Sequence, residues 1–193
     1  ISSIFREVST NDKGEVAFVA GLSGANNGRG VIHGKRSTGP EGTFQLTRLG
    51  FIDVNSGSLS QPQINNNNRI VARERVGLNS NIKIWEAPTP SSGTILASSA
   101  SPSFRSVVNP CLNDDGKVFF VGLDQMNDAT LQLNTGIRDS HTELTDLERF
   151  GPFPVAGLND TWVIKEGTRL NSQVIFGNAG GKEGDVTPTT STN

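Results

Sequence analysis

One short pattern recurs along this chain. Asn11-Asp12-Lys13-Gly14-Glu15-Val16-Ala17-Phe18-Val19-Ala20-Gly21-Leu22 returns as Asn113-Asp114-Asp115-Gly116-Lys117-Val118-Phe119-Phe120-Val121-Gly122-Leu123. A looser copy runs from Asn65 to Val76, and a fourth begins Leu158-Asn159-Asp160-Thr161-Trp162-Val163-Ile164. The anchoring asparagines Asn11, Asn65, Asn113 and Asn159 stand 54, 48 and 46 residues apart. A proline precedes three of them: Pro62, Pro110 and Pro154. Self-similarity at such a period marks a repeat architecture, in which each unit buries its apolar surface against its neighbours.

Each unit has room for four short strands. An extended lead-in such as Gln61-Pro62-Gln63-Ile64 enters the asparagine turn, and the strongest strand follows at Val16–Leu22, Ile70–Val76 or Lys117–Leu123. A third strand is expected at Gly30–His33, Ile82–Trp85, Leu131–Leu133 and Val174–Phe176, and a fourth at Phe44–Thr47, Thr94–Ala97 and Glu143–Asp146. The Asn-x-x-Gly turn has a physical basis: Asn bonds its own backbone, and Gly takes a positive φ at no steric cost. Such a turn joins adjacent antiparallel strands. The strand after it is apolar on both faces, as a sheet enclosed between two other sheets requires. The expected fold is therefore all-β: a β-propeller-type repeat of four blade-like units, each of about four antiparallel strands. The units run approximately over residues 4–50, 51–98, 99–149 and 150–178, with an extended or disordered tail at 179–193. Thr142–Phe150 carries apolar residues at helical spacing, but its place in the repeat predicts a strand and turn. The last unit lacks a convincing fourth strand, for which Ile4–Val8 is a candidate donor. A closed four-bladed ring and an arc of something larger both fit the repeat.

Composition narrows the function classes. Gly, Ser, Asn and Thr make up more than a third of the 193 residues, and Tyr is absent. Turn formers on this scale exclude helical bundles and coiled coils. The formal net charge of −2 leaves no basic footprint for nucleic acid or an anionic membrane. No apolar run reaches the length of about 20 residues that a membrane helix needs. Cys111 is the only cysteine, so neither an intrachain disulfide nor a cysteine-built zinc site is available. It reads as a small buried hydrophobe. The chain opens on Ile1 without a signal-peptide pattern and is expected to be a processed protein or a fragment.

The unit Asn-Asp-x-Gly-x-Val-Ala-Phe-x-Ala, with its Pro-x-Leu-Asn lead-in and the following Ile84-Trp85 strand, resembles the repeats of secreted or envelope-associated bacterial proteins. The resemblance covers roughly residues 4–178. It implies a propeller-like fold and a bacterial cell-surface or extracellular location, and it assigns no chemistry.

Chemical signatures are sparse. Asn113-Asp114-Asp115-Gly116 lacks the further ligands of a calcium loop and reads as a hairpin turn. His33 and His141 lie in different units with no metal-spaced partner, and they read as exposed or hydrogen-bonded strand residues. There is no Gly-x-Ser-x-Gly elbow. Gly24–Gly30 lacks the Lys-Ser/Thr ending of a phosphate loop. Asn159-Asp160-Thr161 is a formal sequon, but its turn role accounts for the asparagine. No cofactor or metal is expected.

One departure points to a site. Where the first and third copies have Val19-Ala20 and Val121-Gly122, the second has Arg73-Glu74. Charge at an enclosed position must pair, face water or face a ligand. An ion pair or a solvated blade edge is one reading; a polar cluster at the channel or its mouth is the other. Trp85, on the next strand, either packs in the core or offers a stacking face. Arg73, Glu74 and Trp85 are therefore the candidate ligand-binding residues. The expected role is a non-catalytic binding or scaffold module, taking a glycan or protein ligand at loop tips or the channel mouth. A structural subunit that self-assembles through an open blade edge is an alternative. A glycan-active hydrolase or lyase is another; it would need two acidic residues converging on the axis, from a pool of Asp53, Glu74, Glu86, Asp124 and Glu143.

Overall fold

The asparagine turns start the hairpins from which the molecule is built. In the computed structural model, the Asn11 N–H donates to the Glu15 carbonyl (3.1 Å) and the Gly14 N–H to the Asn11 carbonyl (3.0 Å). The same pair of bonds closes the turns at Asn65 and Asn113. The fourth turn residue is left-handed each time: Gly14 at φ 71°, Asn68 at 62° and Gly116 at 81°. Glycine adopts this geometry freely, and asparagine tolerates it.

The structure describes residues 1–24, 27–37, 42–53, 55–126, 128–138, 141–147, 156–158, 161–167 and 172–178; for Arg6 and from residue 144 onward it describes the backbone only. Four antiparallel sheets follow one another along the chain, each from one contiguous segment. The first contains β1 (Ser3–Thr10), β2 (Val16–Leu22), β3 (Gly28–Arg36) and β4 (Phe44–Asp53). The second contains β5 (Gly57–Ile64), β6 (Arg69–Val76), β7 (Asn79–Glu86) and β8 (Thr94–Ser98). The third contains β9 (Ser106–Leu112), β10 (Val118–Leu123), β11 (Ala129–Asn134) and β12 (His141–Leu147). The fourth has three strands among the described residues: β13 (Ala156–Leu158), β14 (Thr161–Gly167) and β15 (Ser172–Asn178). The chain is all-β, as the repeat predicts, and residues 141–147 form a strand. Among the described residues no helix is long and apolar enough to cross a membrane.

First strands lie innermost, with β1 packed on β5, β5 on β9 and β9 on β13. The sheets are thus blades around an axis, held together by apolar layers between them. Ala17, Val19, Val31, Leu49 and Ile52 of the first blade meet Leu59, Ile64, Ile70, Ala72 and Trp85 of the second. Val71, Ile82 and Leu96 of the second meet Phe104, Leu112, Val118 and Phe120 at the third. Alternate residues of β2, β6 and β10 point to opposite faces, so each middle strand contributes to two layers. Full burial of a side chain of this kind is worth about 1.5–3 kcal/mol. Cys111 is buried in the layer on the far side of the third blade.

One expectation fails. Residues 4–8 do not fill the last blade. They belong to β1 and pair with β2 as the innermost strand of their own sheet. The contiguous four-strand unit satisfies this strand's hydrogen bonds locally, so no exchange of termini is required. Asn159 and the tail at 179–193 lie outside the described residues.

Candidate functional site

Two polar systems link the blades near the axis. The first is a ladder of turns at one mouth. Asn11 Oδ1 accepts the N–H groups of Lys13 (3.1 Å) and Glu15 (2.9 Å), while its Nδ2 crosses to the carbonyl of Asn65 (3.1 Å). Asn65 repeats this: Oδ1 accepts from Asn67 and Arg69, and Nδ2 donates to the carbonyl of Asn113 at 2.9 Å. The side chains of Asn11 and Asn65 therefore each tie their own turn and grip the next blade.

The second residue of each turn adds a parallel rung. The Asp12 N–H donates to Asn66 Oδ1, and the Asn66 N–H to Asp114 Oδ1, both at 2.8 Å. Asn66 Nδ2 then donates to Asp12 Oδ2 (2.8 Å) and Asp114 Oδ2 (2.9 Å). Asn66 thus separates two carboxylates with one amide. An aspartate in its place would set three carboxylates side by side, a repulsive arrangement without a counter-ion. Asn66, where the first and third copies have Asp, keeps this rung free of a third carboxylate.

The second system is on the axial wall. Each of β1, β5 and β9 has an irregularity in its pairing, between Ile4 and Val8, between Ser60 and Gln63, and opposite the interval Phe119–Val121. A bulge re-aims the extra residue. Glu7, Gln61 and Asn109 stand four residues before their anchoring asparagines, at these irregularities. Gln61 and Asn109 are left-handed, at φ 54° and 52°, a conformation that costs a non-glycine residue about 1–3 kcal/mol. Pro62 and Pro110 follow directly; lacking an N–H, they leave no donor stranded where the ladder is broken. The three side chains form a chain of bonds. The Gln61 N–H donates to the Glu7 carboxylate, the Asn109 N–H to Gln61 Oε1 at 3.1 Å, and Gln61 Nε2 to Asn109 Oδ1. The result is a polar strip across three blades, with one carboxylate at its end. Sequence reasoning missed it. The available signal was a polar residue at one repeat position, twice directly before the proline.

The three residues expected to bind ligand are not gathered into one site. Glu74 is buried, 7% exposed. Its Oε1 pairs with Lys83 Nζ at 2.8 Å and its Oε2 accepts from Asn81 Nδ2 at 3.0 Å. Asn81 in turn accepts from Ser98 Oγ at 2.6 Å. This is the ion-pair reading of the charged departure. Trp85 is 2% exposed, packed in the layer between the first two blades. A Cβ on Gly50 or Gly93 would fall 2.9 or 2.6 Å from its ring. The ring therefore fills the core and offers no stacking face. It lies opposite Ile70, four register positions from Glu74, about 13 Å along the strand. Arg73 points away from Glu74, toward the third blade, by the alternation of the pleat. It sits opposite Ser60, beside the β5 bulge. Its Nε is buried without a hydrogen bond. Burial first, and Arg75 second, lower the pKa of its guanidinium.

The acidic pool is dispersed. Asp53 and Asp124 bond backbone N–H groups in their own loops. Glu86 pairs with Arg69 at 2.8 Å on the surface, and Glu143 accepts from Gln132 on an outer strand. None of the five stands on an innermost strand, where Glu7 is the one carboxylate among the described residues. His33 is buried rather than exposed, with Nε2 3.6 Å from Glu15 Oε2. The His141 ring lies against Phe104, centroids 4.8 Å apart.

No known protein family matches the sequence, and no curated protein matches it. Solved structures do share the fold. TolB from Acinetobacter baumannii superposes with a TM-score of 0.60 at 14% identity, over 93% of this chain and 41% of that one. The β-propeller domain of the Trilobed protease from Pyrococcus furiosus, described as having an open velcro topology, does so with a TM-score of 0.60 at 12% identity, over 98% and 57%. A Mycobacterium tuberculosis puromycin-hydrolyzing peptidase follows with a TM-score of 0.59 at 14% identity, over 93% and 28%. The chain thus spans between about a quarter and three fifths of these structures. At these identities the likeness shows the fold: β-propeller blades, each a contiguous sheet.

Proposed function

We propose that this chain is a non-catalytic binding or scaffold module whose ligand, a glycan or a protein segment, hydrogen-bonds to the axial strip of Glu7, Gln61 and Asn109. The observation that carries the reading is the strip itself. Two left-handed, non-glycine residues are held at bulges so that amides line the axis, and strain of this kind persists at sites that use it. Amide and carboxylate groups on a rigid wall suit ligands rich in hydroxyls or peptide groups. Arg73 belongs to the proposal because it flanks the β5 bulge and keeps an unsatisfied Nε. Glu74, paired with Lys83, and Trp85, packed in the core, are left out of the proposed site. Among the described residues the innermost strands carry one carboxylate, Glu7, whereas glycoside hydrolysis uses two. The bacterial cell-surface or extracellular location rests on the resemblance of the repeats.

Screening against a glycan array and a random peptide-display library tests this. The best binder is then titrated calorimetrically against wild type, Gln61→Ala and Asn109→Ala. The expected result is binding weakened at least about tenfold by either substitution, which corresponds to about 1.4 kcal/mol or more, with melting temperature kept within a few degrees. Undiminished binding by both variants would move the site elsewhere. Release of reducing ends or peptide fragments during incubation would overturn the non-catalytic reading.

A further inference from the structure

Each blade has a forward face, toward higher residue numbers, and a backward face. Two arginines of β6 stand on the forward face of the second blade, at its seam with the third. Arg73 and Arg75 are two residues and about 7 Å apart along the strand. Cross-strand partners share their side of the pleat: Ser60 lies opposite Arg73, and Ser58 and Ser80 flank Arg75. Ile82, beside Arg73 on β7, is fully buried. The third blade closes the seam, where the Val107 N–H donates to Ser80 Oγ at 2.9 Å. The result is a slot with an apolar wall, serine hydroxyls and two guanidinium groups, next to Gln61 of the axial strip.

These charges are uncompensated. Arg73 is half-buried and Arg75 exposed. Arg73 Nε is enclosed without a hydrogen bond, and no carboxylate among the described residues pairs with either guanidinium. Glu74, between them in sequence, faces backward and is held by Lys83 and Asn81. The neighbouring positive charges repel, and burial strips hydration from Arg73; both effects disfavour its charged form. The first and third copies of the repeat carry Val19 and Val121 in place of Arg73, and Gly21 and Leu123 in place of Arg75. The repeat itself therefore does not require the pair. Charge held against such a cost is found where a ligand supplies the counter-charge.

We infer that Arg73 and Arg75, with the Ser58 and Ser60 hydroxyls, bind side-chain carboxylates of an acidic peptide segment laid along the axial edge of β5. The guanidinium fork matches a carboxylate. The carrier follows from the topology: β5 ends its sheet on the axial side, and the edge of a sheet is a template for an extended peptide. Side chains on one face of such a peptide recur every two residues, about 7 Å apart. That is the spacing of the two arginines, so an acidic-x-acidic pattern fits the slot. This assignment names the ligand of the proposed binding wall and rests on that reading.

The probe is a short fluorescent peptide of alternating glutamate and serine, and its control has glutamine for every glutamate. Fluorescence anisotropy compares wild type, Arg73→Met, Arg75→Gln and Gln61→Ala. Wild type is expected to bind the glutamate peptide and not the control, and each arginine substitution to weaken binding at least about tenfold. The Nε–H resonance of Arg73 should shift as wild type is titrated. Arg73→Met should keep or raise the melting temperature, because an apolar chain of similar length replaces an unpaired, half-buried charge. No binding by wild type, equal affinity for both peptides, or undiminished binding by both arginine variants would overturn the inference. Tighter binding of oligogalacturonate than of the glutamate peptide would give the slot to an acidic glycan and overturn the peptide assignment. Loss of binding in Gln61→Ala alone would keep the axial strip and overturn the arginine site; loss in the arginine variants alone would support the arginine site and overturn the strip. Arg75 is exposed, so its variant decides even where Arg73→Met misfolds.

Discussion

The two faces of the first blade have the same kind of sequence and different fates. Forward residues Ala17, Val19 and Val31 are sealed against the second blade. Backward residues Phe18, Ala20 and Ile32 are equally apolar, but the side chains around them, Ile4, Val8 and Leu46, remain about half exposed or more. A period-2 pattern states that a strand is apolar on both sides. It does not state whether a partner sheet is present. The covered face shows what a partner supplies: a large ring in a glycine-lined slot, and a ladder of asparagine side chains that leaves few buried polar atoms unpaired.

The sharpest way to break the covered face is to remove that ring. Trp85→Ala is expected to cost about 3–5 kcal/mol, the range for emptying a large buried aromatic site, read as a lower midpoint in urea. Asn65→Ala comes next. It removes one inter-blade bond and two turn bonds from a residue only 4% exposed, and it should cost about 2–4 kcal/mol through the donors and acceptors left unpaired. Hydrogen exchange should show the loss on both sides of the boundary between the second and third blades. If only the second hairpin loses protection, the ladder does not couple blades. Asn68→Gly should act in the opposite direction. It relieves a left-handed asparagine whose Oδ1 is buried without a partner, and a gain of about 0.5–1 kcal/mol is expected. The smallest effect belongs to the open face: Val8→Thr should leave the unfolding free energy of the dilute chain within about 0.5 kcal/mol. A larger loss would mean that the face is already covered.

Much of the fold was legible in the residues. The Asn-x-x-Gly period placed the hairpins, because the turn chemistry and the alternating apolar strands are local. The charged departure at Arg73-Glu74 was legible as an anomaly. Its resolution was not, because Lys83 and Asn81 reach Glu74 from the neighbouring strand, with Ser98 of the strand beyond holding Asn81. Trp85 was ambiguous for the same reason: only the approach of Gly50 and Gly93 makes it a core residue. The axial strip went unread because a bulge is set by pairing register between strands, which no single strand encodes.

The sequence by itself determined the repeat, the all-β class and the placement of turns, since each follows from backbone preferences within a few residues. Only the tertiary structure decided which apolar face is covered, which charges are paired, and that Glu7, Gln61 and Asn109 meet on one wall. The covered face and the wall depend on contacts between residues about 50 positions apart, and the charge pairs on neighbouring strands of one sheet. They are fixed when one blade packs on the next, burying apolar area and leaving each enclosed polar group to find its partner across the seam.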